Sequence, residues 1–277
     1  MISGQGNRRS RAEVILTSGL LIVAIVMFGG PFLWILASAF ASSDTGPTLW
    51  PGVPSLDNFR AVFNEQETGL ALRSSLIVAG ACMMLGTLLA SLGGFGLSRV
   101  SIPGKDAIVF GLLLLYAIPT AVTMVALFDL ASKMELVDTY RGLILAQTAV
   151  SLPFLTWLMK SFYDKVPRML DEAVTVDGRG ILRAWLDVLT PVAKPGLAIT
   201  AGLAFVLAWS EVLLTIVLIS DPDKITIARL FFINAERAAS SQVTTALAAL
   251  YLGPVLVVFL LLRGLIARHL ARLRGSR

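Results

Sequence analysis

Apolar residues run along this chain in six blocks separated by polar connections, at about 14–40, 70–97, 107–131, 142–162, 196–219 and 246–266. A helix crosses a bilayer with about 20 apolar residues at 1.5 Å rise each, and every block reaches that length. Backbone at membrane depth has to satisfy its hydrogen bonds internally, so the blocks predict six spanning helices rather than open strands. In the second block Gly86, Ala90 and Gly94 recur at every fourth position. Such a small-residue stripe predicts a face on which another helix packs closely.

The first block follows Arg8, Arg9 and Arg11 and ends near Ala37-Ser38-Ala39, which has the look of a signal-peptidase site. Its length far exceeds the 7–15 apolar residues of a signal peptide, so an uncleaved first span is expected. Composition agrees with a membrane protein. Apolar residues make up 56% of the 277 positions and charged residues 15%, at a mean hydropathy of +0.80. Soluble domains carry about a quarter charged residues. The net charge of +5 does not suggest a nucleic-acid partner, because the basic residues lie between and beyond the apolar blocks. With the N-terminus inside, sixteen Lys and Arg fall on inner segments and seven on outer ones. That bias predicts both termini in the cytoplasm. Cys82 is the single cysteine and is read as a small lipid- or helix-facing residue. There is no internal repeat and no soluble second domain, so residues 1–277 are expected to form one transmembrane domain. Its first helix is at about 14–40 and its core helices at about 70–266.

Three connections exceed a tight turn. The outer ones, about 41–69 with Pro47, Pro51 and Pro54, and about 220–245, are polar. The inner one, about 163–195, is the most informative. Pro167 suits the first position of a helix, where its missing N–H costs nothing. Asp171 and Glu172 follow early, where negative charge meets the positive end of the helix dipole. Met169, Leu170, Ala173 and Val174 share a face, and Gly178 suits the left-handed residue past a helix end. The pattern predicts a short amphipathic helix, a turn, and a second helical stretch at about 181–189, separated from the next span by Pro191 and Pro195. Such a helix either rests in the membrane interface or docks into a partner's groove.

The run Glu172-Ala173-Val174-Thr175-Val176-Asp177-Gly178, with Trp185, Pro191 and Pro195 downstream, resembles the EAA loop of ATP-binding-cassette importer permeases. Val174 stands where the motif has a second Ala, Arg179 where it has Ala after Gly, and Trp185 where Phe is common. The likeness extends along nearly the whole chain to the MalG-like side of the maltose-type carbohydrate permeases. It is carried by Pro31-Phe32-Leu33-Trp34, Ser98-Arg99 with Pro103-Gly104-Lys105, Leu136-Val137-Asp138-Thr139-Tyr140, and Leu207-Ala208-Trp209-Ser210-Glu211, where Ser replaces a common Asn. The resemblance implies an all-α membrane protein of MetI-like permease fold, a multi-pass component of a bacterial or archaeal inner membrane. It implies a second permease subunit as heterodimer partner, two ATPase subunits, an extracytoplasmic solute-binding protein and a surrounding lipid bilayer. It also implies that this chain binds no cofactor, ATP and Mg being held by the partner ATPase. Met169, Leu170, Glu172, Ala173, Asp177 and Gly178 would form the ATPase-coupling surface within 163–195. The solute implied is a sugar or oligosaccharide, with glycerol-phosphate derivatives or amino sugars as alternatives.

A carboxylate within a span is costly unless it faces protein or water. Glu211 therefore either lines a pathway, together with Trp209 and Ser210, or is a buried hydrogen-bonded residue. Trp209 either stacks on a sugar face or simply packs. Asp129 is explained by an interfacial position, and the 220–245 loop either reaches toward the binding protein or is merely solvated. His269 is the single histidine, set among Arg268, Arg272 and Arg274, and has no companion for metal binding. No phosphate-binding loop of the G-x-x-x-x-G-K-[ST] type occurs, so nucleotide hydrolysis is expected of another chain. An ion-coupled secondary transporter is the rival reading, disfavoured by the missing repeats.

Overall fold

The computed structural model describes residues 11–42, 53–170, 180–236 and 241–275. Among them the chain is helical, with a single isolated bridge between Ala41 and Pro54. Among the described residues four helices are long and apolar enough to cross a membrane, and there are up to six candidate spans if each of two bent helix pairs is one span. The chain divides into two compact units, one of 1–64 with 238–250 and the other of 65–237 with 251–277.

In the smaller unit, α1 (Arg11–Ala39) is apolar on all sides, with Ile15 and Phe28 among its exposed residues. A helix apolar all round belongs in lipid or in a large core. Its end is tied down by α2 (Asp57–Asn64), whose Asn58 amide donates to the carbonyls of Ala39, the last helical residue, and of Ala41 just beyond it, at 3.3 and 2.9 Å.

The larger unit is built on α3 (Gln66–Arg99) and α6 (Tyr140–Tyr163). The predicted small-residue face is where they meet. A Cβ on Gly86 would lie 3.3 Å from the Leu155 side chain, and one on Gly94 only 2.7 Å from the Lys160 backbone nitrogen. Cys82 is buried on the same helix and faces α6, its thiol near the Ile144 carbonyl.

Two predicted spans are not continuous. The block at 107–131 divides into α4 (Lys105–Ala117) and α5 (Thr120–Lys133), bent by 93°. Pro119 explains this break. It lacks a donor and forces Ile118 into extended backbone, at φ −70° and ψ 121°. Between Trp185 and Leu189 the helical stretch begun by α7 (Ile181–Ala184) widens to a π turn, in which the Thr190 N–H reaches the Trp185 carbonyl. Pro191 follows inside α8 (Thr190–Val192). It therefore does not separate the stretch from the next span, as the sequence suggested; the wider turn makes room for its ring. The chain instead turns by 85° at Ala193, and Pro195 enters the first turn of α9 (Lys194–Trp209). The block at 196–219 is broken again at 210–212, before α10 (Leu213–Leu218).

The connection at 220–245 is more structured than its polarity suggests. It holds a 3-10 turn at Pro222–Lys224 and α11 (Ile227–Glu236), whose first N–H donates to Ser75 Oγ at 2.7 Å. The last helix, α12 (Ser241–Gly275), is long and continuous. Its Leu262 and Val258 seat against Gly202 of α9.

Candidate functional site

The connection at 163–195 begins from a braced platform. Ser98 Oγ donates to the Asp164 carboxylate at 2.7 Å, Lys160 Nζ bonds the same carboxylate at 2.6 Å, and the Arg99 guanidinium donates to the Val166 carbonyl at 2.8 Å. Partial burial pushes the Asp164 carboxyl up, but the hydrogen bonds from Lys160 and Ser98 and the charges of Lys160 and Lys105 outweigh it. The group is held below the usual carboxylate range.

A buried polar triad lies deeper. Tyr163 Oη and Ser91 Oγ are 2.6 Å apart, and the Trp185 indole N–H donates to both, at 3.0 Å to Ser91 and 3.1 Å to Tyr163. All three residues are buried, with Phe95 set edge-on to Tyr163 and with Leu155, Met159 and Leu189 in the same cluster. Trp185 thus ties the far end of the 163–195 connection to α3 and α6. Sequence reasoning noted Trp185 but not its partners. Their signal was a hydroxyl in the second block and a tyrosine at the end of the fourth.

Between these two anchors the chain leaves the platform with Pro167–Leu170. Met169 is 71% exposed and Leu170 39%. Glu172, Ala173, Asp177 and Gly178 lie outside the described residues.

Near the other end of α6, Asp138 joins two connections. It takes a left-handed conformation at φ 60°, which Asp tolerates better than most side chains. Its carboxylate accepts the N–H groups of Ser220 and Asp221 at 3.1 and 3.0 Å, and its own N–H donates to the Leu218 carbonyl at 2.7 Å. Arg229 reinforces this region by donating to the Thr215 and Ile219 carbonyls. Asp129 is exposed and paired with Lys133 at 2.6 Å.

The two broken spans meet across α6. Their breaks line a recess together with the middle of that helix. Tyr116 and Thr120 come from the α4–α5 break, Gln147 and Ser151 from α6, and Glu211 and Leu214 from the α9–α10 break. Glu211 Oε1 accepts the Leu214 N–H at 3.2 Å, which closes part of the backbone gap that the break opens. Ser210 is exposed and bonds back to the Val206 carbonyl at 2.8 Å. Trp209 is 1% exposed, stacked on Phe205 with ring centroids 5.5 Å apart and donating to the Tyr251 carbonyl at 2.9 Å. Of the three residues weighed for the pathway, only Glu211 reaches the recess. Tyr116, Thr120, Gln147 and Ser151 were not singled out from sequence. Gln147, an amide inside an apolar block, was the available signal.

The family described as "Binding-protein-dependent transport system inner membrane component" matches residues 70–274. The chain is 31% identical over 251 residues to the maltodextrin transport system permease protein MdxG of Bacillus subtilis (strain 168), covering 88% of this chain and 89% of that one. It is 30% identical over 236 residues to the diacetylchitobiose uptake system permease protein NgcG of Streptomyces coelicolor, covering 84% and 77%. Its fold is similar to a chain of a bacterial ABC transporter involved in the import of the acidic polysaccharide alginate. There the TM-score is 0.75 at 18% identity, over 95% of this chain and 99% of that one.

Proposed function

The chain belongs to the family of binding-protein-dependent transport system inner membrane components, and from that premise we propose that it forms half of the translocation path of an importer for a sugar or oligosaccharide. It is a permease subunit, a non-catalytic transport component whose ATPase is a separate chain. The observation that carries the carbohydrate assignment is the alignment with the maltodextrin permease over nearly the full length of both chains. The similarity to a diacetylchitobiose uptake permease favours an amino sugar as the second reading.

In this proposal residues 1–277 act as one transmembrane permease domain in a bacterial or archaeal inner membrane, with both termini cytoplasmic. It pairs with a second permease subunit. Two ATPase subunits holding ATP and Mg lie on the cytoplasmic side, and an extracytoplasmic binding protein delivers solute. The segment 163–195 is the coupling element. Met169 and Leu170 start its apolar face, Glu172 supplies a charged contact, Ala173 leaves room for close approach, and Asp177-Gly178 ends the helix in a turn. The exposure of Met169 and Leu170 supports this, because an uncovered apolar face invites a partner. The two anchors described above support it as well. A displacement of the segment would pass through Trp185 and through the Asp164 brace into α3 and α6 as rigid-body motion. Glu211 lines the solute path.

The test is the assembled complex. ATPase activity stimulated by the solute-loaded binding protein, measured across a panel of sugars and amino sugars, should single out the substrate. Co-purification of an ATPase subunit should accompany it. A chain that transports alone with an ion gradient would make it a secondary transporter instead.

A further inference from the structure

We propose that the recess where α3 ends and α4 begins is a binding site for the phosphate group of an anionic membrane lipid. The site rests on the chain's place in a membrane and not on the identity of the solute. One consequence, the bracing of 163–195 by the bound headgroup, rests on the reading of that segment as the coupling element.

Three cations converge on this recess from separate places in the chain. Arg99 ends α3, Lys105 begins α4, and Arg168 lies in the connection that follows α6; all three line the recess, with Ser101 and Pro103. Two of them are positioned by backbone. The Arg99 guanidinium donates to the Val166 carbonyl at 2.8 Å, and Lys105 Nζ donates to the Ser98 carbonyl at 3.2 Å. Among the described residues no carboxylate lines the recess. Asp164, close by, is engaged by Ser98 and Lys160. Asp106 follows Lys105 in the first turn of α4 but is not part of the lining. Cations gathered in one recess repel one another, and an anion placed among them reverses the sign of the interaction. Phosphate is the anion that suits a guanidinium fork beside an ammonium group. Because Lys105 opens a helix of 13 residues, the positive end of that helix favours the same anion.

The apolar surface beside the recess indicates the source of the phosphate. α4 buries none of its residues, and Ile108, Phe110, Leu114 and Leu115 stand exposed along it, beginning one turn beyond Lys105. A free phosphate has no use for such a surface, whereas acyl chains attached to a headgroup in the recess would cover it. Long cationic side chains at the ends of spanning helices reach headgroup level. The Lys and Arg bias puts this end of the chain on the cytoplasmic side, where the leaflet is anionic. A headgroup held by Arg99 and Arg168 together would link the end of α3 to the start of 163–195.

The experiment uses the full complex in phosphatidylcholine vesicles that contain a phosphatidylglycerol with a photoreactive headgroup. After photolysis the labelled peptides are mapped. The wild type should be labelled within 99–105. Lys105→Gln and Arg168→Gln should each lower that labelling about fivefold, and Arg168→Lys, which keeps the charge, should retain most of it. Short-chain phosphatidylglycerol should compete far better than inorganic phosphate. Retention of the ATPase in phosphatidylcholine alone reports assembly of each variant. Labelling of 99–105 that is absent in the wild type, or unchanged in both Gln variants, overturns the site. Equal competition by inorganic phosphate overturns the lipid as its source. Variants that lose the ATPase even without phosphatidylglycerol show that the cations meet protein instead, which also overturns it. The bracing is read separately, as solute carried per ATP hydrolysed with and without phosphatidylglycerol. The wild-type ratio should rise with the anionic lipid and that of Arg168→Gln should not. A wild-type ratio indifferent to the lipid, with labelling intact, overturns the bracing alone.

Discussion

At the scale of single residues, the connection at 163–195 depends on a few polar groups in apolar surroundings. Trp185 contributes both a large buried ring and a hydrogen bond shared between Ser91 and Tyr163. Trp185→Ala should cost about 3–5 kcal/mol, by the precedent of large-to-small core changes. Trp185→Phe should cost about 1–2 kcal/mol, because most of the volume stays while the donor is lost. Thermal unfolding of the purified complex checks the order, and loss of coupling between ATPase and uptake should follow it. Asp164 predicts a pH effect whose sign is determined. Its folded pKa is lowered from the model-compound value of 3.8, so its stabilisation is full above that value and is lost as pH falls through the lower folded value. The protection of amides over 160–166, taken as the exchange rate relative to an unstructured chain at the same pH, should therefore fall as pH drops below about 3.8, and Asp164→Asn should remove that dependence.

At the scale of elements, the α3–α6 contact is set by glycines at which the structure distinguishes two degrees of tolerance. At Gly94 an added methyl meets the Lys160 backbone at 2.7 Å, and backbone cannot rotate away. Gly94→Ala should push the helices apart and cost about 1–3 kcal/mol. At Gly86 the nearest atom is the end of a leucine side chain at 3.3 Å, so Gly86→Ala should be close to neutral. Comparing the two variants by the denaturant needed to unfold each separates backbone contact from mere helix propensity. The stripe was legible from sequence because a four-residue repeat of small side chains is a local pattern. The difference between its members was not, because it depends on which part of α6 stands opposite each glycine.

At the scale of the whole molecule, the predictions concern coupling and topology. Gly178→Val or Glu172→Lys should abolish uptake and weaken retention of the ATPase. The solute affinity of the separate binding protein should stay the same. Uptake and pull-down from membranes with matched permease levels measure both, and normal behaviour of both variants would remove 163–195 as the coupling element. Reporter fusions at Asp57, Asp138 and Asp223 should report outside, and those at Lys105 and the C-terminus inside. An outside C-terminus would overturn the orientation drawn from the Lys and Arg bias.

The residue pattern by itself determined that the chain spans a membrane with helices, and approximately where. An α-helix closes its hydrogen bonds four residues away, so a long apolar block specifies a spanning helix without reference to the rest of the chain. The motif at 172–178 was likewise legible, since its spacing is local. Even the break at Pro119 had a local cause, though the apolar run around it concealed the bend. Tertiary structure alone decided what required distant partners. Trp185 finds Ser91 across 94 positions, and Asp138 finds Ser220 across 82. Glu211 shares a recess with Tyr116 and Gln147 only because two breaks in separate spans come to the same level of α6. Trp209, two residues before Glu211, turns instead into the packing against Phe205 and Tyr251, because nearby residues on a helix end point in different directions.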